Sequence, residues 1–245
     1  MKTLKLIAVW ISGMLIALTF NSCLDDDGYS LNEFRISVAT VESQGGGSHY
    51  FRLDNGETLW PSAGYYLGHN FDDGQRTLLN YTLLSDSIKG FSHYIKVNRV
   101  DAILTKSLAE NKGLQNDSIY GTDPIKVKDL WIGNGYLNLV FGYNYGGQAT
   151  HFVNLLQAEE EDPYTVEFRH NAYNDSPQIG MDGIVCFDLS TLPDTKGETV
   201  QLVFRVNTFD GEKEIELDYN SSRQTKEKSY VFPSDFNPEM LERLN

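Results

Sequence analysis

Leu130-Trp131-Ile132-Gly133-Asn134-Gly135-Tyr136-Leu137-Asn138-Leu139-Val140-Phe141-Gly142-Tyr143-Asn144-Tyr145 is the stretch on which the reading of the whole chain turns. Gly133-Asn134-Gly135 punctuates it, and Asn and Gly accept the backbone angles that a tight hairpin demands. Beyond the turn, Leu137, Leu139, Phe141, Tyr143 and Tyr145 fall on one side of an extended chain, and Asn138, Val140 and Asn144 fall on the other. A period of two with apolar groups on one side marks a strand with one face in a core.

The same alternation runs outward in both directions. Residues 125–132 precede the turn; 151–157, 164–170, 183–189, 199–208 and 213–219 follow, joined by turns such as Asp210-Gly211. Short strands at this density, roughly seven in 100 residues, read as an antiparallel, immunoglobulin-like β-sandwich. We assign it residues 119–245, with a short tail after Pro233 in which Asn237-Pro238-Glu239 starts a helix that Met240, Leu241 and Leu244 dock.

Toward the N-terminus, Phe34, Ile36 and Val38 share one face and Arg35, Ser37 and Ala39 the other. Gly45-Gly46-Gly47 turns the chain into 49–53, and Asp54-Asn55-Gly56 is a hairpin signal into Thr58-Leu59-Trp60, where Pro61 is expected to end the strand. Residues 62–75, with Gly64, Gly68 and Gly74, read as a long loop. Strands follow at 76–86 and 94–105, and in the latter the apolar phase switches, so a bulge near Asn98-Arg99 is needed to keep both sets inside. Five strands with a coiling bulge suit a small closed barrel of the OB type, assigned to 34–118. Ser107-Leu108-Ala109-Glu110 has the form of a capping box and Gly113 that of a helix stop, so one short helix is predicted there. The polar run 115–123, ending at Pro124, reads as the domain boundary.

Ahead of the barrel, Lys2 and Lys5, the apolar stretch from Leu6 to Phe20 and the small Ser22 have the order of a secretory signal over 1–22. As a helix, Leu6 to Phe20 spans roughly 22 Å at about 1.5 Å per residue, short of the roughly 30 Å of a hydrocarbon core. Cys23 stands where the lipobox of bacterial lipoproteins places its acylated cysteine, although Phe20 and Asn21 depart from the usual Leu and small residue. The tether 23–33 carries Asp25, Asp26 and Asp27, which resemble the surface-export tag of lipoproteins in the Bacteroides group. Together these imply an outer-membrane lipoprotein displayed at the surface or facing the periplasm, held to the membrane through its lipid.

The formal charge of −14, without a dense basic cluster, argues against nucleic acid and anionic membrane surfaces as partners. Of the two cysteines, acylation of Cys23 leaves Cys186 without a disulfide partner. The apolar run from Gly183 to Leu189 makes Cys186 a buried structural thiol. His151 and His170, with Asp175 close in sequence, are the candidates for acid–base or metal chemistry. Their spacing fits no metal-ligand motif, and histidines bridging strand backbones are expected. No GxSxG, HExxH, P-loop or GxGxxG arrangement occurs, so no catalytic residue, metal or cofactor is assigned. Trp60, Trp131, Tyr136, Tyr143 and Tyr145 read first as packing, and Tyr65 and Tyr66 in the long loop are the best placed for ligand contact.

Leu130 to Asn138, with His151-Phe152-Val153-Asn154-Leu155 and Phe168-Arg169-His170-Asn171-Ala172, resembles the NigD-like lipoprotein family of the Bacteroides group. The resemblance implies an N-terminal OB-like domain and a C-terminal β-sandwich, and a link to bacteriocin immunity or envelope defence. It implies no catalytic residue, since no biochemical activity is established for the family. The resulting expectation is a non-enzymatic envelope module that binds a protein or a glycan. Two alternatives stand beside it: a hydrolase with two carboxylates, or His151, His170 and an acid, gathered in an interdomain cleft, and a purely structural sandwich packed on another envelope protein through an exposed apolar patch.

Overall fold

The computed structural model describes residues 31–64, 71–87, 90–158, 162–222 and 243–245. Cys23, Asp25, Asp26, Asp27, Tyr65, Tyr66, Met240 and Leu241 lie outside the described residues. Among the described residues no helix is long and apolar enough to cross a membrane.

Five strands close into a barrel in the order β1 (Arg35–Gly45), β2 (Ser48–Leu53), β3 (Thr58–Gly64), β5 (His93–Ala102), β4 (Arg76–Leu83), with β4 returning to β1. The Asp54-Asn55-Gly56 hairpin forms as expected: Asn55 Oδ1 accepts from the Glu57 amide, and Gly56 takes a φ of 87°. Pro61 does not end its strand. It pairs with Ile95 beside a register shift between Pro61 and Ala63 in β3, the kind of irregular position at which a strand accommodates proline. The parallel pairing of β3 with β5 brings Gly64, at φ 114°, so close that a Cβ there would lie 1.9 Å from the Val97 carbonyl oxygen. The expected bulge is present: opposite the step from Asn80 to Tyr81, β5 advances from Arg99 to Val97, leaving Asn98 as the extra residue.

Eight strands make the sandwich. One sheet runs β13 (Gly211–Tyr219), β12 (Val200–Thr208), β10 (Thr165–Asn171), β9 (Phe152–Gln157); the other runs β6 (Leu104–Ser107), β11 (Ile179–Asp188), β8 (Tyr136–Tyr145), β7 (Lys126–Gly133). Both sheets are mixed, because β10 pairs with β12 and β6 with β11 in parallel. The residues 104–105, expected at the end of the last barrel strand, instead begin β6 and belong to the sandwich.

The helix is displaced. Ser107 ends β6 and the Ala109 amide donates to the Leu155 carbonyl at 2.8 Å, so the capping-box residues are used up by sheet edges. A 3₁₀ turn at Gly113–Gln115 and a helix, α1 (Asn116–Tyr120), follow in the segment that reads as a linker. Asn111 and Asn116 start it, with Asn116 Oδ1 accepting the Lys112 amide and Asn111 Oδ1 accepting Asn116 Nδ2. Gly121, at φ 77°, stops it.

Among the described residues, apolar groups form three cores. Barrel (Val41, Phe51, Leu59, Ile95 and neighbours) and sandwich (Leu137, Phe141, Phe168, Phe204 and neighbours) each have one. The third, of Ile36, Val38, Leu78, Ile103, Val140, Ile184 and Cys186, lies between them. It forms because the outer face of β1 and β4 packs on the outer face of β8 and β11, so these strands are buried on both sides. Residues 243–245 add to the edge of β9: the His151 amide donates to Arg243, the Val153 amide to Asn245, and the Asn245 amide back to His151. Leu244, 6% exposed, fills the sandwich core against Gly183.

Candidate functional site

Among the described residues, this architecture brings together two largely buried clusters of chemistry-bearing side chains. The first lies between barrel and sandwich. Asp54, freed from the turn because Asn55 closes it, points inward and receives Arg76 in a bidentate pair, Nη1 to Oδ1 at 2.7 Å and Nη2 to Oδ2 at 2.9 Å. The two side chains are 1% and 0% exposed. From β8, Asn138 Oδ1 accepts Arg76 Nη2 at 2.6 Å and the Cys186 thiol at 3.1 Å, and from β7 the Trp131 indole donates to Asp54 Oδ2 at 2.7 Å. Arg76 also donates to Thr40, which in turn accepts from Asn134 across the join. Its guanidinium stacks 4.9 Å above the Tyr136 ring. Gly133 makes the approach possible, since a Cβ there would sit 2.3 Å from the Asp54 carboxyl carbon.

Burial lowers the tendency of Arg76 to hold its proton, but Asp54 more than offsets this and the guanidinium stays charged. Burial likewise pushes the Cys186 thiol up to about 11 despite Arg76 beside it, so it is not a nucleophile at neutral pH.

The second cluster sits inside the sandwich. The rings of His151 and His170 meet each other, Nδ1 to Nε2 at 2.9 Å, and His151 Nε2 reaches Asp175 Oδ2 at 3.3 Å, while the His170 ring also bonds the Asp123 backbone. Asp175 also accepts the amides of Gly146, Gly147 and Gln148, fastening two loops at one end of the sandwich. Burial and then the neighbouring His151 hold His170 down to about 4. Burial pushes the Asp175 carboxyl up, but the loop amides and His151 outweigh it and leave the group below its usual range. The Tyr143 hydroxyl is buried without a hydrogen-bond partner and is pushed up to about 12 by burial. All three triad residues are buried, and residues 243–245 cover His151.

Arg76, Asp54, Asn138, His151 and Asp175 are buried, whereas His170 lies at the wall of a surface groove of about 610 Å³ that also gathers Asp117, Asp123, Glu167, Glu212 and Glu214. The hydrolase alternative placed a histidine–acid group in the interdomain cleft; the histidines are instead in the sandwich core, and the barrel–sandwich join is filled by an ion pair. Another surface groove, of about 550 Å³, holds two carboxylates, Asp188 and Asp194. Each closes a turn: Asp188 accepts the Ser190 amide, and Asp194 accepts Lys196 and Ser221. Ser221 and the Lys196 amide hold Asp194 below its usual range, the reverse of what a general acid needs. Among the described residues no group of three or more His, Cys, Asp or Glu is placed to hold a metal ion.

The aromatic residues divide. Trp131 and Tyr136 belong to the join, Tyr143 and Tyr145 pack on His151, and Trp60 is partly exposed on the outside of the barrel. Sequence reasoning passed over Asp54, Arg76 and Asn138. The available signal was Arg76, a lone cation opening the apolar β4 run Arg-Thr-Leu-Leu.

A family described as the NigD-like N-terminal OB domain matches residues 38–103, and one described as the NigD-like C-terminal beta sandwich domain matches 107–219. Among solved structures, a protein from Parabacteroides distasonis described as toxin-related is 50% identical, covers 79% of this chain and 96% of its own, and superposes with a TM-score of 0.73. A Bacteroides vulgatus protein of unknown function is 25% identical over 87% of this chain and all (100%) of its own, with a TM-score of 0.69. A NigD-like immunity protein from Bacteroides caccae, 20% identical over 84% of this chain and 99% of its own, shares the fold with a TM-score of 0.56. No curated protein matches the chain.

Proposed function

The chain belongs to the NigD-like family, and from that premise we propose that it is an exported, lipid-anchored envelope protein that acts by binding a protein or glycan partner, in an immunity role, and not by catalysis. One observation carries the binding reading: the Asp54–Arg76 pair and the His151–Asp175 contact are buried among packed side chains, so the exposed surface is what these domains offer a partner. A NigD-like immunity protein with the same fold supports the direction of the role. The lipobox-like Cys23, the Asp25-Asp26-Asp27 run and a lipoprotein among the structural neighbours support the anchor and its display. In this reading Cys23 carries the acyl chains, the acidic run addresses the protein outward, and Tyr65 and Tyr66 are candidate contact residues.

Cells fed labelled palmitate provide the test of the anchor. The wild-type protein takes up label and Cys23→Ala does not, and protease added to intact cells removes the wild type. An unlabelled wild type would overturn the anchor; full protection from protease would overturn surface display. Envelope extract passed over the purified protein is expected to yield a partner, and a Tyr65→Ala/Tyr66→Ala variant that recovers it equally would remove that loop from the reading.

A further inference from the structure

The outside of the barrel carries a feature that neither its core nor its join to the sandwich explains. Along β1, β2, β3 and β5, the inward residues Val41, Phe51, Leu53, Leu59, Ile95 and Val97 fill the barrel. The alternate, outward positions on the same strands hold Glu42, Tyr50, Arg52, Trp60 and Tyr94, all partly exposed. Register lines them up: Glu42 is the cross-strand partner of Tyr50, and Trp60 that of Tyr94. Phe91, from the β4–β5 connection, lies on Trp60 with ring centroids 4.9 Å apart and planes at 39°, and on Tyr50 at 5.4 Å and 62°.

Aromatic side chains on the outer face of a closed barrel add nothing to its interior. Here they are joined to a fixed polar pair. Glu42 accepts from Arg52 through both of its oxygens, with Nη2 to Oε2 at 2.8 Å, and from the Tyr50 hydroxyl. Burial raises the Glu42 carboxyl, but Arg52 and Tyr50 outweigh it and keep the group ionised. Arg52 also lies over the Tyr50 ring at 5.8 Å. Glu42 and Arg52 cancel in charge, so the centre of the array has aromatic faces and oriented donors and acceptors, with Lys96, two residues along β5 from Tyr94, an exposed cation on the same face.

We propose that this array, centred on Trp60 and Phe91 with Glu42 and Arg52 at its edge, binds a neutral saccharide. This rests on the binding reading above and names its ligand class. The apolar face of a pyranose ring packs on indole and phenyl faces, and its hydroxyls donate to a carboxylate and accept from a guanidinium, which is the pairing found here. A single-stranded nucleic acid would use the same rings but needs a cationic track beside them, and the chain carries a formal charge of −14.

The test is isothermal titration of the purified protein with neutral hexasaccharides: maltohexaose, cellohexaose, laminarihexaose, xylohexaose and chitohexaose. At least one is expected to bind with a millimolar or tighter Kd, and Trp60→Ala is expected to weaken it about tenfold or more, the loss of one stacking contact. Arg52→Gln, a milder surface change, should weaken binding while the melting temperature stays at the wild-type value, and Tyr173→Ala, an exposed aromatic on the sandwich, should leave binding unchanged. Absence of binding to every hexasaccharide would overturn the proposal, as would wild-type affinity in a folded Trp60→Ala variant, or Trp60-dependent binding of oligothymidylate instead. A partner recovered from envelope extract equally by wild type and Trp60→Ala would leave the binding reading standing while this site falls.

Discussion

Arg76→Met keeps a side chain of comparable length at the barrel–sandwich join and deletes the guanidinium shared by Asp54, Asn138 and Thr40. Asp54 would then remain buried with only the Trp131 indole and the Asn138 amide as donors. An exposed ion pair contributes at most about 1 kcal/mol, but these side chains are 0% and 1% exposed. Removing one partner of such a pair costs about 3–5 kcal/mol, because the remaining charge loses its counter-charge without regaining water. At roughly 2–4 °C per kcal/mol for a unit of this size, melting should fall by about 6–20 °C.

The companion is Asp54→Asn, alone and combined with Arg76→Met. With the charge gone from both sides, no ion is stranded, so the double variant should lose less than the sum of the singles by about 1–3 kcal/mol. Urea unfolding followed by circular dichroism gives each free energy, and the four proteins close a double-mutant cycle. A loss under about 1 kcal/mol in Arg76→Met, or singles that simply add, would refute the claim that this pair is desolvated and coupled. The cycle also separates two roles: a double variant near wild-type stability would mean that the pair sets how barrel and sandwich dock without adding net stability.

Two further outcomes are expected. His170 titrates near 6.5 when unfolded and is held at about 4 when folded, so the unfolded chain binds more protons between these values. The His170 contribution to stability should therefore fall as pH drops from about 6.5 to about 4, by about 3 kcal/mol, and change no further below; urea midpoints across that range should fall less steeply in His170→Gln, and equal slopes would refute the assignment. Leu244→Ala should cost about 2–5 kcal/mol, the range for truncating a buried leucine, measured by urea unfolding; a cost under about 1 kcal/mol would mean that residues 243–245 do not hold their place at the β9 edge in solution.

Much of the fold is legible in the chain because strand alternation and turn chemistry act locally. The Gly133-Asn134-Gly135 turn, the Asp54-Asn55-Gly56 hairpin, the bulge at Asn98 and the core face of β8 all appear where residue pattern places them. Local rules failed where a distant strand competed for the same groups. Ser107 to Glu110 carries a helix-start signature, yet β11 and β9 take the backbone of Ser107 and Ala109, and the helix forms further on. Pro61 reads as a strand end, but the curved closure of the barrel supplies an irregular position that tolerates it.

The candidate sites divide along the same line. Alternation alone put Asn138 and Val140 opposite the core face of β8, and composition alone made Cys186 a buried thiol. What lies against that opposite face was decided only by folding: Asn138 meets Arg76 across 62 positions, and Trp131 meets Asp54 across 77. His151, His170 and Asp175 could be singled out by type, but their contact depends on β9 and β10 pairing with His170 opposite Val153, which brings the two rings together. A period of two tells which side of a strand a residue occupies, because it is a property of the backbone itself. Which element covers that side is a property of sheet order and domain docking, set by burial summed over the whole unit.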